Sequence, residues 1–253
     1  MAAGEGRAVL VTGASRGIGR AIARAFAERG DRVAVHWGGS RERAERVLAE
    51  LPGEGHVLVQ ADLADPEAVG AMVDDAADRL GGLQVLVNNA GVFTAHPPLE
   101  TSYADWQAAW SRTLAVNLLG PANTTFRALP HLIAAGGGAI VNISSRGAFR
   151  GEPHNPAYGA SKAGLNAFGQ SMALALAPHG ISVGTVAPGF VQTEMAREVL
   201  DGPGGDAVRA QSPYGRVARP EEVASAVLWL ASPGARFSTG TIIDVNGASY
   251  LRS

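Results

Sequence analysis

Residues 8–19 read AVLVTGASRGIG, and the fold follows from how this stretch divides. Ala8–Thr12 is an unbroken apolar run, as expected of a strand buried on both faces of a parallel sheet. Gly13, Gly17 and Gly19 then punctuate a turn. Beyond it Ile18, Ile22, Ala25 and Phe26 recur at helical spacing, and Gly30 can end that helix. A strand passing through glycines into a helix opens a βα unit. Glycine allows a tight turn and close approach of a pyrophosphate, while the helix N-terminus offers free N–H groups and partial positive charge. Ser15, Arg16 and Ile18 complete this loop. Its spacing is GxxxGxG rather than GxGxxG, so alone it also fits an ordinary βα turn.

The same rhythm continues along the chain. Further strands are expected at Arg32–His36, His56–Gln60, Gln84–Asn88, Ala139–Ile143, Ile181–Ala187 and Thr241–Val245. Helical patterns separate them, two opening with a capping residue and proline: Asp65-Pro66 and Asn155-Pro156. Repeated β-α alternation predicts an α/β fold: one doubly wound domain over 1–253, with a seven-stranded parallel sheet flanked by helices. No internal linker interrupts it. Residues 189–219 read as an elaborated loop, expected to hold short helices and act as a lid over a site.

Composition narrows the function. The chain has 253 residues, 46% hydrophobic and 17% charged, which supports a large core rather than disorder. The formal net charge of −2 gives no general attraction to nucleic acid or anionic membranes. There are no cysteines, hence no disulfide framework or thiol nucleophile, and the six histidines lack metal-ligand spacing, so no metal site is expected. No long apolar run suggests a signal peptide or membrane span, and a cytoplasmic location is expected.

The chemistry concentrates around NPAYGASKAGLNAF, residues 155–168. Tyr158 and Lys162 are four apart, which puts a phenol and an ammonium on one helix face. A free tyrosine titrates near 10, poorly matched to acid–base work at neutral pH. A nearby ammonium favours phenolate and lowers that pKa by ~1–3. The pair is therefore expected to act as a tuned proton donor and acceptor.

Taken together, Gly13-Ala-Ser-Arg-Gly17-Ile-Gly19, Asn88-Asn89-Ala90-Gly91 and Tyr158-x-x-x-Lys162 resemble the motifs of the short-chain dehydrogenase/reductase family. The matches extend from about residue 7 to about residue 247. The resemblance implies hydride transfer between a nicotinamide cofactor and a carbonyl or secondary alcohol. It implies a catalytic group of Asn117, Ser145, Tyr158 and Lys162, with Ser145 polarising the substrate oxygen and Asn117 holding a water that links Lys162 to solvent. It places Asp62 and Leu63 at the adenine ring, Asn89, Ala90 and Gly91 along the cofactor, and Pro188, Gly189, Val191 and Thr193 at the nicotinamide amide. A dimer or tetramer is a further expectation from it, with the helix of Trp106 and Trp110 and the Tyr158 helix at the subunit contacts.

The second strand ends HWGGSRER, with Trp37 where NAD-preferring Rossmann proteins carry an acid. Arg16, Ser40 and Arg41 could instead meet a 2′-phosphate, since guanidinium matches phosphate oxygens. NADP(H) is therefore expected over NAD(H). The substrate pocket is expected between Phe93–Pro98, Arg146–Asn155 and Phe190–Tyr214. The resemblance extends to 3-oxoacyl-carrier-protein reductases, so a small carbonyl compound or an acyl-carrier-bound one is expected. An NAD-linked sugar, polyol or steroid dehydrogenase is the alternative enzyme, and a nucleotide-binding sensor without turnover the alternative class.

Overall fold

Each expected strand forms, with its ends within one residue of those read from sequence. The computed structural model describes residues 6–252. The strands are β1 (Ala8–Val11), β2 (Arg32–Trp37), β3 (Val57–Gln60), β4 (Val85–Asn88), β5 (Gly138–Ile143), β6 (Ile181–Pro188) and β7 (Ile242–Val245). All pair in parallel, in the order β3-β2-β1-β4-β5-β6-β7. The winding direction reverses between β1 and β4, which opens a crevice beyond their C-terminal ends.

Alternation along each strand distributes the core between two faces. Val9 and Val11 of β1 join Val33 and Val35 on one face, under Ile22 and Phe26 of α1 (Gly17–Ala27) and Val223 and Val227 of α10 (Pro220–Leu230). Ala8 and Leu10 join Leu86, Ile140 and Val183 on the other. That face is covered by α3 (Pro66–Leu80), α5 (Gly120–Ala134) and α7 (Pro156–Leu176). Burial on both sides explains why the strands read as continuous aliphatic runs.

The remaining helices are α2 (Arg41–Glu50), α4 (Tyr103–Leu114), α6 (Gly147–Arg150), α8 (Glu194–Asp201) and α9 (Gly205–Ala210). The last two lie within residues 189–219, which thus hold the short helices expected there. Asp65 caps α3 as read from sequence, accepting from Glu67 N and Ala68 N. Asn155 does not cap α7. Its Nδ2 is buried without a partner, and the donor it was expected to satisfy goes elsewhere: Ala157 N donates to Nε2 of His96, 3.1 Å away.

Candidate active site

The glycine loop is held from behind. Thr12 Oγ1 accepts from Asn89 N at 2.9 Å and Ala90 N at 3.1 Å, and Asn89 Nδ2 donates to Thr12 O and Gly13 O at 2.8 and 3.1 Å. The NNAG segment is thus a brace for the turn that follows β1. Gly13 and Gly17 adopt left-handed φ of 64° and 54°. At Gly19 a Cβ would lie 2.2 Å from Gly13 O, closer than atoms can approach. Arg16 precedes α1 in an extended conformation and its side chain does not cap the helix, leaving the first-turn N–H groups available to an anion.

One brace was not apparent from sequence. His36, at the end of β2, is 2% exposed. Its Nδ1 accepts from Gly13 N at 2.9 Å and its Nε2 donates to Ala61 O at 3.1 Å. Burial pushes its pKa down to about 4, so the ring is neutral and each nitrogen has one partner. Nothing in local spacing marks this histidine, because its partners come from β1 and the end of β3.

Ser40 accepts from Arg43 N and thereby caps α2. Arg41 pairs with Glu45 one turn along the same helix, 2.8 Å away. The cation that comes near Arg16 is Arg43. Both approach Oε2 of Glu194 at the start of α8, Arg43 at 2.9 Å and Arg16 at 3.9 Å. Thr193, just before, lies against Gly17: its Cγ2 is 3.3 Å from where a Cβ there would sit. Asp62 is paired with Arg112 through both oxygens, at 3.0 and 2.8 Å, and this guanidinium holds its carboxyl below the usual range. Leu63 is buried against Gly120.

Asn117 and Lys162 converge on Gly91. A Cβ on that glycine would lie 3.3 Å from Asn117 Oδ1 and 3.5 Å from Lys162 Nζ. Asn117 sits in a π-helical turn, Ala115–Leu119, between α4 and α5, a distortion common at functional sites. It accepts from Val92 N at 2.8 Å and donates to Val92 O and Ser161 Oγ at 3.0 and 3.2 Å. Lys162 is 3% exposed and donates to Ile143 O at 2.8 Å. Gly169 brings α7 close to the sheet: a Cβ there would be 2.9 Å from Asn142 Nδ2. Gly159, in turn, faces α6, with Gly147 O 3.3 Å from its missing Cβ.

Tyr158 stands edge-on to Phe93, with ring centroids 4.8 Å apart, and Lys162 Nζ is 5.7 Å from its ring centre. The expected downward pull on its pKa is reversed. Burial pushes Tyr158 up to about 12, against a downward influence of Ser145, and the carboxylate of Glu152 adds to the rise. Burial pushes Lys162 down to about 8. The physical reason is that both groups leave water together, which penalises both charged forms. Ser145 Oγ accepts from Gly147 N at 3.0 Å, so it lies in the turn into α6. Pro188 O accepts from Arg146 N at 2.8 Å, Gly189 N donates to Val245 O, and Val191 bridges to Ala218. Glu152, unremarked in the sequence, is half-buried beside Gly147, and burial raises its pKa.

A family model described as enoyl-(acyl carrier protein) reductase matches residues 13–248. A crystal structure of a short chain dehydrogenase from Burkholderia cenocepacia J2315, in complex with NADP, superposes with a TM-score of 0.87 at 36% identity. It covers 97% of this chain and 98% of that one. The chain belongs to the short-chain dehydrogenase/reductase family. This chain is also 38% identical over 247 residues to the 3-oxoacyl-[acyl-carrier-protein] reductase FabG of Staphylococcus aureus (strain Mu50), covering 97% of this chain and 98% of that protein. It is 41% identical over 243 residues to cis-4-hydroxycyclohexanecarboxylate dehydrogenase of Sinomonas cyclohexanicum, covering 95% of each. As a short-chain dehydrogenase/reductase the protein is an NAD(P)-dependent oxidoreductase acting on a small molecule. The glycine turn, which has no room for a side chain at Gly19, and the uncapped start of α1 fit the diphosphate of such a cofactor. Among the described residues no helix is long and apolar enough to cross a membrane, and no cluster of side chains could hold a metal ion.

Proposed function

We propose that this short-chain dehydrogenase/reductase is an NADP(H)-dependent reductase of ketones or 3-oxoacyl thioesters, working in reverse on secondary alcohols, with Tyr158 as its acid–base group. The observation that carries this reading is the convergence on Gly91 of Asn117, from the π turn, and Lys162, from the helix that also presents Tyr158. A bound nicotinamide supplies or accepts the hydride. The chain's own residues handle the proton and the orientation. A Tyr158 titrating near 12 is fully protonated at neutral pH and is ready to donate to an oxygen gaining negative charge. Lys162 titrates near 8, carries most of its charge at pH 7 and favours the phenolate left behind. Ser145 orients the carbonyl, while Asn117 fixes the π-helical turn and the Val92 backbone beside it.

For the cofactor, Gly13, Ser15, Arg16, Gly17, Ile18 and Gly19 would hold the diphosphate, Asp62 and Leu63 the adenine side, and Asn89, Ala90 and Gly91 the middle. Pro188, Gly189, Val191 and Thr193 would shape the nicotinamide end. The absence of an acid at the end of β2 supports NADP(H), and Arg16 with Ser40 and Arg41 would meet the 2′-phosphate, joined by Arg43 two positions along α2. Arg41 and Arg43 are each paired with a carboxylate, Glu45 and Glu194, which either would exchange for the phosphate. An assembly of two or four chains belongs to the same reading. Leu119, Phe126 and Ile133, seven apart, leave an exposed apolar strip along the π turn and α5 that supports it.

The test is NADPH oxidation over panels of acyl thioesters, ketones and sugars, with Tyr158→Phe beside the wild type. Turnover is expected to fall at least 100-fold in the variant while NADPH affinity stays within twofold. Full activity without the phenol would overturn the assignment.

A further inference from the structure

Arg146 is a buried cation without a carboxylate partner. It follows Ser145 directly and is 5% exposed, yet makes no ion pair with any described residue. Its guanidinium donates once, from Nη1 to Ser249 Oγ at 2.7 Å, and lies 5.1 Å from the centre of the Phe190 ring. Arginine carries five N–H donors, and its others are not sealed in by protein. They border a cavity of about 150 Å³ whose walls include Phe190, Val208, Ser212 and Tyr214.

The charges facing this cavity do not neutralise Arg146. Glu222 is held by both nitrogens of Arg216, at 2.8 and 2.7 Å, so those two cancel. Glu152 influences Arg146 electrostatically from beyond α6 but is too distant for an ion pair. One uncompensated positive charge therefore faces a half-open cavity lined by apolar, hydroxyl and mutually paired charged side chains. Burying an unpaired charge is costly, and an apolar side chain of similar volume would be more stable in its place. Guanidinium pairs best with a planar two-oxygen anion. Two of the cavity's wall residues follow directly in the chain on residues assigned to the site, Arg146 on Ser145 and Phe190 on Gly189.

We propose that Arg146 and Ser249 form an anion subsite that takes a carboxylate, so that the preferred substrates are oxo acids and the matching hydroxy acids. This deepens the reading of the protein as a carbonyl reductase and rests on it for the substrate half of the claim.

Wild type, Arg146→Gln and Arg146→Lys are compared as full-length chains, using 4-oxopentanoate, its methyl ester and acetate as probes. The acid is expected to raise the melting temperature of wild type and of Arg146→Lys, but not of Arg146→Gln, and the ester to affect all three alike. In NADPH oxidation, KM for the acid is expected to rise roughly 10- to 100-fold in Arg146→Gln, with KM for the ester within twofold. An Arg146-dependent response to acetate, with no change in the acid-to-ester KM ratio, identifies the same site as one for a separate acid. Equal stabilisation of wild type and Arg146→Gln by the acid, or none of either, overturns the subsite. Failure of wild type to reduce either ketone, with Arg146-dependent binding intact, would instead count against the reductase reading alone.

Discussion

At the end of β2 the imidazole of His36 joins two parts of the nucleotide crevice, the glycine turn and the backbone that leads to Asp62. Its lowered pKa makes stability depend on pH in a definite direction. The folded protein resists protonation of this ring until about pH 4, whereas an unfolded chain takes the proton near 6.5. The unfolded state therefore binds more protons between those values, and stability falls as pH drops through this window. The full shift is worth roughly 3 kcal/mol. Urea unfolding at pH 7, 5.5 and 4.5 measures it, and in His36→Asn the acid-side loss should shrink by most of that amount. An unchanged slope would contradict the role. The Tyr158–Lys162 pair gives a second profile. Tyr158 keeps its proton throughout the working range, so the decline in kcat/KM for carbonyl reduction should begin where Lys162 loses charge, near pH 8. A profile flat to pH 10 would separate Lys162 from the chemistry.

Helix α7 carries that pair, and its start shows which parts of an element local sequence can specify. Asn155-Pro156 announces the helix in the correct place, yet the hydrogen bond comes from His96, 61 residues away in the chain. Removing His96 as His96→Ala leaves the Ala157 N–H buried and unsatisfied, an expected loss of ~1–3 kcal/mol in thermal or urea unfolding. Asn155→Ala should cost less, because its side chain caps nothing. The opposite ranking would restore the local cap. The same contrast holds across the site. Strands were legible because double-sided burial demands aliphatic runs, and the glycine turn because a side chain at Gly19 has nowhere to go. The partners of His36, His96 and Arg146 were not, since each is set by elements that meet only in the folded sheet. The ion pairs of Arg41 and Arg43 were illegible for a similar reason: two positions along α2 separate a guanidinium that pairs with Glu45 from one that reaches Glu194.

For the molecule as a whole, core and cofactor contribute stability separately. Leu86 lies at the centre of the sheet with no exposure, and Leu86→Ala should cost about 2–5 kcal/mol in unfolding experiments. If, as proposed, NADPH is the cofactor and binds the folded chain alone, it should add about 2.7 kcal/mol at 100 times its Kd. NADH at the same concentration should add less. In Arg16→Ala and Arg43→Ala the difference between the two cofactors should narrow, by roughly 10-fold or more in affinity for each charge-assisted hydrogen bond removed. Equal stabilisation by both cofactors in the wild type would count against a 2′-phosphate site at these arginines.

The brace between Thr12 and Asn89 has a consequence for how the protein is made. Its two ends are 77 residues apart in the chain yet adjacent in space, because β4 inserts beside β1. A nascent chain that has emerged only as far as α3 holds the glycine turn but nothing to fix its carbonyls. Closing so long a loop costs entropy that few early contacts repay. In the growing polypeptide the glycine turn therefore takes its final form only once the segment through Asn89 has left the ribosome and β4 has docked beside β1.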